Sequence, residues 1–250
     1  MSASDVKKKP SKGIYLLPNL FTTGCLFSGF YAVISAIGGN YEQAATAIFI
    51  AMVMDGLDGR VARLTNTASE FGVQYDSLAD MVSFGLAPGI VIYLWALSDF
   101  GKLGWLVAFI YTAGAALRLA RFNTQVQVAD KRFFQGLPSP AAAATVAGLV
   151  WVGADYGASG ADLNVLALII TFAAGVLMVS NFRYYSFKDI DLKGRVPFFS
   201  ILIMVMILVF ISLDPPQVLF GLFLIYMLSG LVLTVWGIKQ TRSKRRNESG

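Results

Sequence analysis

The chain has 250 residues, 56% of them hydrophobic and 14% charged, with a formal net charge of +5 and a mean hydropathy of +0.64. Soluble domains carry about 25% charged residues, so the composition argues against a soluble enzyme and for one membrane domain. Histidine is absent and Cys25 is the lone cysteine, which removes the usual general base, the commonest transition-metal ligand and any disulfide within one chain.

In chain order, residues 1–12 read as a basic, solvated tail. They are not a signal peptide, because the apolar run that follows is too long for an h-region and lacks a small-residue cleavage site. Apolar segments then recur at 16–37, 43–64, 70–97, 103–122, 139–154, 163–181, 197–213 and 217–238. Each approaches or exceeds the ~20 residues a helix needs to cross the hydrocarbon core. The expected fold is therefore all-α, a polytopic membrane protein of about eight transmembrane helices spanning residues 13–238, with a second basic tail at 239–250. The fifth segment, bracketed by Pro138, Pro140 and a polar stretch from Gly153 to Asp162, is the shortest.

With eight spans, all the basic residues except Lys102 fall on one side, from Lys7 through Arg63, Arg121 and Arg195 to Arg246. The opposite loops carry Glu42, Asp99, Asp155, Asp162 and Asp214. This bias places both termini in the cytoplasm. The basic residues are spread over five loops without a recognition motif, so they mark topology and anionic lipid contact, with no nucleic acid as partner. Trp95, Trp105, Trp151 and Trp236 sit near segment ends, as interfacial belts do. Gly85 and Gly89 form a candidate close-packing face, within one subunit or between two. The polar stretch Ser186 to Arg195 reads as a solvated turn, and Lys244-Arg245-Arg246 as a membrane-surface anchor.

Chemistry concentrates between the second and third segments. At 100° per residue, Asp55, Asp58, Gly59 and Ala62 share an arc of about 100°, and Gly72, Asp76 and Asp80 form a stripe of about 80° on the next helix. The short polar link 64–70 makes the two helices antiparallel neighbours, so the acidic faces can meet near the cytoplasmic boundary. An Asp deep in a membrane costs about 2.5–3.5 kcal/mol on insertion scales, a cost that interfacial placement lowers and bound cations offset. Capping of a helix or pairing with Arg60 or Arg63 accounts for one such Asp, but not for four with small residues between them. Oxygen donors without His or Cys beside them favour Mg²⁺, Mn²⁺ or Ca²⁺ over Zn²⁺. Arg63, one turn beyond Gly59, is placed to meet phosphate oxygens.

Asp55, Asp58, Gly59, Ala62, Arg63, Gly72, Asp76 and Asp80 match every fixed position of D-x2-D-G-x2-A-R-x8-G-x3-D-x3-D, and in this the chain resembles the CDP-alcohol phosphotransferase family. The resemblance implies a helical, commonly homodimeric enzyme of a bacterial or archaeal cytoplasmic membrane, its site facing the cytoplasm. It implies two divalent cations, Mg²⁺ or Mn²⁺, on Asp55, Asp58, Asp76 and Asp80, with Asp80 also the general base. Gly59, Ala62, Arg63, Ser69 and Gly72 would receive CDP-diacylglycerol. Three further stretches, 76–88, 116–123 and 134–140, are similar to phosphatidylserine synthases, which implies L-serine as the acceptor. The one departure is Cys25, where many relatives have Asn.

Serine carries a carboxylate, which an arginine fork suits. Arg118 and Arg121, at i and i+3, are the candidates to hold it, with Asn123 and Gln135 adding polar contacts. Topological anchoring or lipid-phosphate contact is the other role open to these arginines. Two alternatives stand beside the serine reading: the same chemistry with glycerol 3-phosphate or inositol, and a cation transporter using midplane carboxylates.

Overall fold

The computed structural model describes residues 16–65, 67, 69–125, 133–185 and 198–248. The expected tail 1–12, Lys131, Arg132 and the polar stretch 186–195 lie outside the described residues. The protein is mostly helical. In chain order it runs α1 (Leu16–Ile37), α2 (Tyr41–Thr65), a long α3 (Glu70–Phe100), α4 (Lys102–Gln125), β1 (Phe133–Gln135), α5 (Ser139–Asp155), α6 (Asn164–Val179), β2 (Arg183–Tyr185), α7 (Phe198–Leu213) and α8 (Pro215–Glu248). Among the described residues, four stretches are long and apolar enough to cross a membrane: Leu17–Ile37, Glu70–Phe100, Lys102–Thr124 and Pro215–Val232. The last helix continues without a break to Glu248, through the stretch read as a tail.

The helices pack as they do in lipid. The buried positions are dominated by small residues, among them Ala32, Ala44, Ala45, Ala51 and Ala141 to Ala144, whereas Leu20, Phe27, Phe109 and Ile225 are exposed. Lipid tails are as apolar as leucine, so helices associate through close packing of small residues and leave large apolar side chains outside. At the crossing of α4 and α6, a Cβ on Gly114 would come within 2.5 Å of the Gly175 carbonyl. The short α5 sits in the middle of this arrangement, with every residue from Ala141 to Val150 buried. Gly85 and Gly89 pack inside one chain: a Cβ on each would meet Ala115 and Thr112 of α4, respectively.

The helical fold expected from the sequence is observed, with one short addition and one correction. β1 and β2 form an antiparallel ladder that pairs Phe133 with Tyr185, Phe134 with Tyr184 and Gln135 with Arg183. The ladder is tied to α8, where the Tyr184 hydroxyl donates to the Met227 carbonyl at 3.0 Å. Trp95 is no interfacial anchor; its ring is buried and lies against Gly153, while Gly160 approaches its carbonyl. Indole is large enough to close the junction between α3 and the start of α6, and only glycines there leave it room.

Candidate active site

The site is built where α2 ends and α3 begins. Thr67 bonds back into α2, its amide donating to the Ala62 carbonyl at 3.1 Å. Ser69 then caps α3, its hydroxyl accepting from the Gly72 amide at 3.0 Å. The chain turns back here, and α3, like α2, packs against α1. The acidic faces of α2 and α3 meet: one carboxylate oxygen each from Asp55, Asp76 and Asp80 lies within 4.8 Å of the others.

The fourth carboxylate is held differently. Asp58 is 5% exposed and accepts a hydrogen bond from Thr22 Oγ1 of α1 at 2.8 Å. It stands outside the group of three and lines an adjoining cavity with Asp76, Gly59, Ala62, Thr67, Ser69, Gly72, Val73 and three residues of α1. Those three, Pro18, Asn19 and Thr22, were missed by the sequence reading. The signal available was a polar cluster, Asn19, Thr22 and Thr23, at the end of an apolar segment on the same side as the acids.

The other candidates fall into two groups. Gly59, Ala62, Ser69 and Gly72 line the cavity. A Cβ on Gly59 would meet nothing within 4 Å, so this glycine keeps open space rather than allowing close packing. Arg63 does not line the cavity; it is exposed, and its Nε donates to the Gly59 carbonyl one turn back at 2.9 Å. Arg118 is half-buried and donates from Nη1 to Ser139 Oγ of α5 at 2.9 Å. It stands within electrostatic reach of Asp80 and of Tyr226 on α8. The buried Nε of Arg118 and Nη1 of Arg121 have no hydrogen-bond partner among the described residues. A buried guanidinium N–H left unpaired is costly, so both groups stand open to an acceptor that the described residues do not supply.

Asn123 and Gln135 make other contacts in the structure. Asn123 is exposed and donates to Ser77 Oγ at 3.1 Å, tying the end of α4 to α3 beside Asp76. Gln135 is exposed on β1 opposite Arg183. Cys25 is buried, and its backbone carbonyl accepts from Ser83 Oγ of α3 at 2.9 Å.

Whether the acids suit divalent cations can be tested on the donors themselves. The three-Asp group offers only oxygen, and the buried Asp80 Oδ1 has no hydrogen-bond partner among the described residues. Three carboxylates this close repel one another unless cations lie between them, so the donor set fits hard divalent ions.

Residues 15–178 match the CDP-alcohol phosphatidyltransferase family. A CDP-diacylglycerol–serine O-phosphatidyltransferase of Helicobacter pylori is 39% identical over 218 residues, which cover 87% of this chain and 91% of the relative. An enzyme of the same name from Bacillus subtilis is 33% identical over 172 residues, 69% of this chain and 91% of the relative. An archaetidylserine synthase of Methanothermobacter thermautotrophicus is 36% identical over 170 residues, 67% of this chain and 69% of the relative. The matched span holds both acidic faces, the cavity and the two arginines, and on that ground the chain belongs to the CDP-alcohol phosphatidyltransferase family.

Proposed function

We propose that this chain transfers the phosphatidyl group of CDP-diacylglycerol to the hydroxyl of L-serine, forming phosphatidylserine and CMP. The observation that carries the reading is the meeting of Asp55, Asp76 and Asp80 within 4.8 Å, beside a cavity lined by Asp58, Gly59 and Ala62. The names of the relatives supply serine as acceptor.

Asp55, Asp58, Asp76 and Asp80 would hold two divalent cations, Mg²⁺ or Mn²⁺, which would supply positive charge to the diphosphate and its leaving group. Thr22 fixes the Asp58 carboxylate from α1. Gly59, Ala62, Ser69 and Gly72 receive the nucleotide, and Arg63 swings from the Gly59 carbonyl to its phosphates. Asp80 accepts the proton of the serine hydroxyl as that oxygen bonds to the phosphorus bearing diacylglycerol and the bond to CMP breaks. Arg118 and Arg121 hold the serine carboxylate with the N–H groups that lack partners. This assignment places the acceptor beside Asp80, which Arg118 already faces electrostatically.

The setting is a cytoplasmic membrane. Eight spans with both termini in the cytoplasm are the topology that the basic residues support, with residues 13–238 as the membrane domain. The active unit is a homodimer, as is common in the family.

Two expected results follow directly. Chelation of divalent cations abolishes CMP release from CDP-diacylglycerol and serine, and added Mn²⁺ or Mg²⁺ restores it; release that survives chelation would sink the cation role. Gly59→Ala raises stability by up to ~1 kcal/mol, because glycine inside a helix is costly and the new methyl meets open space. The same methyl intrudes on the nucleotide, so CDP binding weakens by about 10-fold or more, a loss of ~1.4 kcal/mol or beyond. Titration calorimetry with CDP and a thermal melt on the same preparation would separate the two effects.

A further inference from the structure

The backbone of α3 changes its winding directly after Asp80. It is α-helical over Glu70–Asp80, widens to π geometry over Met81–Leu86, and resumes as α-helix at Ala87–Ile92. The local cause lies in Pro88. In a regular helix the Phe84 carbonyl would accept from residue 88, but proline has no N–H and its ring crowds that carbonyl. The helix widens instead, with the Ala87 amide reaching back to the Val82 carbonyl.

Hydroxyl hydrogen bonds to two other helices, α4 and α1, secure the widened turn. Tyr111 of α4 is fully buried and donates to the Phe84 carbonyl at 2.9 Å, taking the place of the missing N–H. Ser83, also fully buried, donates to the Cys25 carbonyl of α1 at 2.9 Å. Gly29 makes that contact possible, because a Cβ there would come within 2.4 Å of Ser83 Oγ. The turn is thus pinned from α4 on one side and from α1 on the other.

This winding decides where Asp80 points. Beyond the turn, Ala87, Val91 and Ile92 are fully buried and fix the orientation of the helix in the core. A regular helix holding one residue fewer per turn would rotate Asp80 by up to about 100° relative to those anchors. We propose that the π turn, held by Tyr111 and Ser83, sets Asp80 opposite Asp55 and Asp76, making Tyr111 a positioning residue for the cation site. The inference rests on the cation role proposed for that site. It concerns residues outside the acidic motif and the cavity, and Tyr111 touches neither substrate nor cation.

The test is Mn²⁺ binding to purified, detergent-solubilised protein, followed by electron paramagnetic resonance of the unbound ion. Tyr111→Phe removes only the pinning hydroxyl. Its half-saturating Mn²⁺ concentration is expected to rise about 10-fold, as when outer-shell partners of a metal site are lost. Tyr184→Phe is the matched control, since it deletes another buried tyrosine hydroxyl on a helix carbonyl, that of Met227. It should shift Mn²⁺ binding by less than about 2-fold. Pro88→Ala supplies the missing N–H and lets the helix wind regularly, so it should raise the melting temperature while weakening Mn²⁺ binding. That opposition is one a merely structural role would not produce. Equal shifts for the two tyrosine variants, or unchanged Mn²⁺ binding in a folded Tyr111→Phe or Pro88→Ala protein, would overturn the proposal. Failure of the unsubstituted protein to bind Mn²⁺ would instead count against the proposed function.

Discussion

Asp80→Asn is expected to reduce CMP release by at least about 10³-fold while leaving the protein folded. A positioned general base contributes about 10²–10⁴-fold, and the same change removes a cation ligand. The stability side has an opposite sign. With Asp55, Asp76 and Asp80 held within 4.8 Å, a neutral isostere relieves repulsion, so the apo variant should melt at or above the temperature of the unsubstituted protein. Cations reverse the order. A ligand at 100 times its Kd stabilises by about 2.7 kcal/mol, so Mn²⁺ should raise the melting temperature of the unsubstituted protein more than that of the variant. Melts with and without Mn²⁺, beside an activity assay, test both halves. A variant that unfolds in the absence of cation would show that Asp80 is needed for the fold and not for the chemistry.

Arg118→Lys is expected to raise the KM for serine by about 10- to 100-fold with little change in the KM for CDP-diacylglycerol. The range corresponds to ~1.5–3 kcal/mol for a hydrogen bond to a charged group. Arg118 already commits Nη1 to Ser139 at 2.9 Å, which leaves its buried Nε to the acceptor. Lysine keeps the charge, but its three donors sit on one nitrogen and cannot serve both partners from a planar fork. Steady-state kinetics with each substrate varied in turn separates the outcomes. A rise in the KM for CDP-diacylglycerol alone would assign Arg118 to the lipid nucleotide, and unchanged constants would return it to a packing role against Ser139.

The helices were legible because each is an apolar run closed by polar or turn residues. The segment read at 16–37 is α1 (Leu16–Ile37), and the one read at 43–64 is α2 (Tyr41–Thr65). The acids were legible for an energetic reason: Asp55, Asp76 and Asp80 on apolar helices demand a partner, and helical spacing put them on facing sides. Which side of an apolar residue faces lipid was not legible, since interior and exterior are both apolar. Trp95 turned inward for want of any pattern to say so. The π turn was hidden for a different reason. Pro88 announces a disturbed helix, but Tyr111, which secures it, lies on the next helix, and only the packing joins them. The same holds for Thr22, whose partner Asp58 lies 36 residues away. The partners of Gln135 and Asn123 were hidden likewise, because the β1–β2 ladder and the Ser77 hydrogen bond join them to residues far along the chain.

The measurement that bears most directly on this account is the reaction itself. Purified protein would be given CDP-diacylglycerol and Mn²⁺, with serine, glycerol 3-phosphate or inositol supplied separately, and the lipid product identified by mass spectrometry beside CMP release. The account predicts phosphatidylserine and stoichiometric CMP with serine alone. Release with another acceptor and none with serine, from protein shown to be folded, would contradict it.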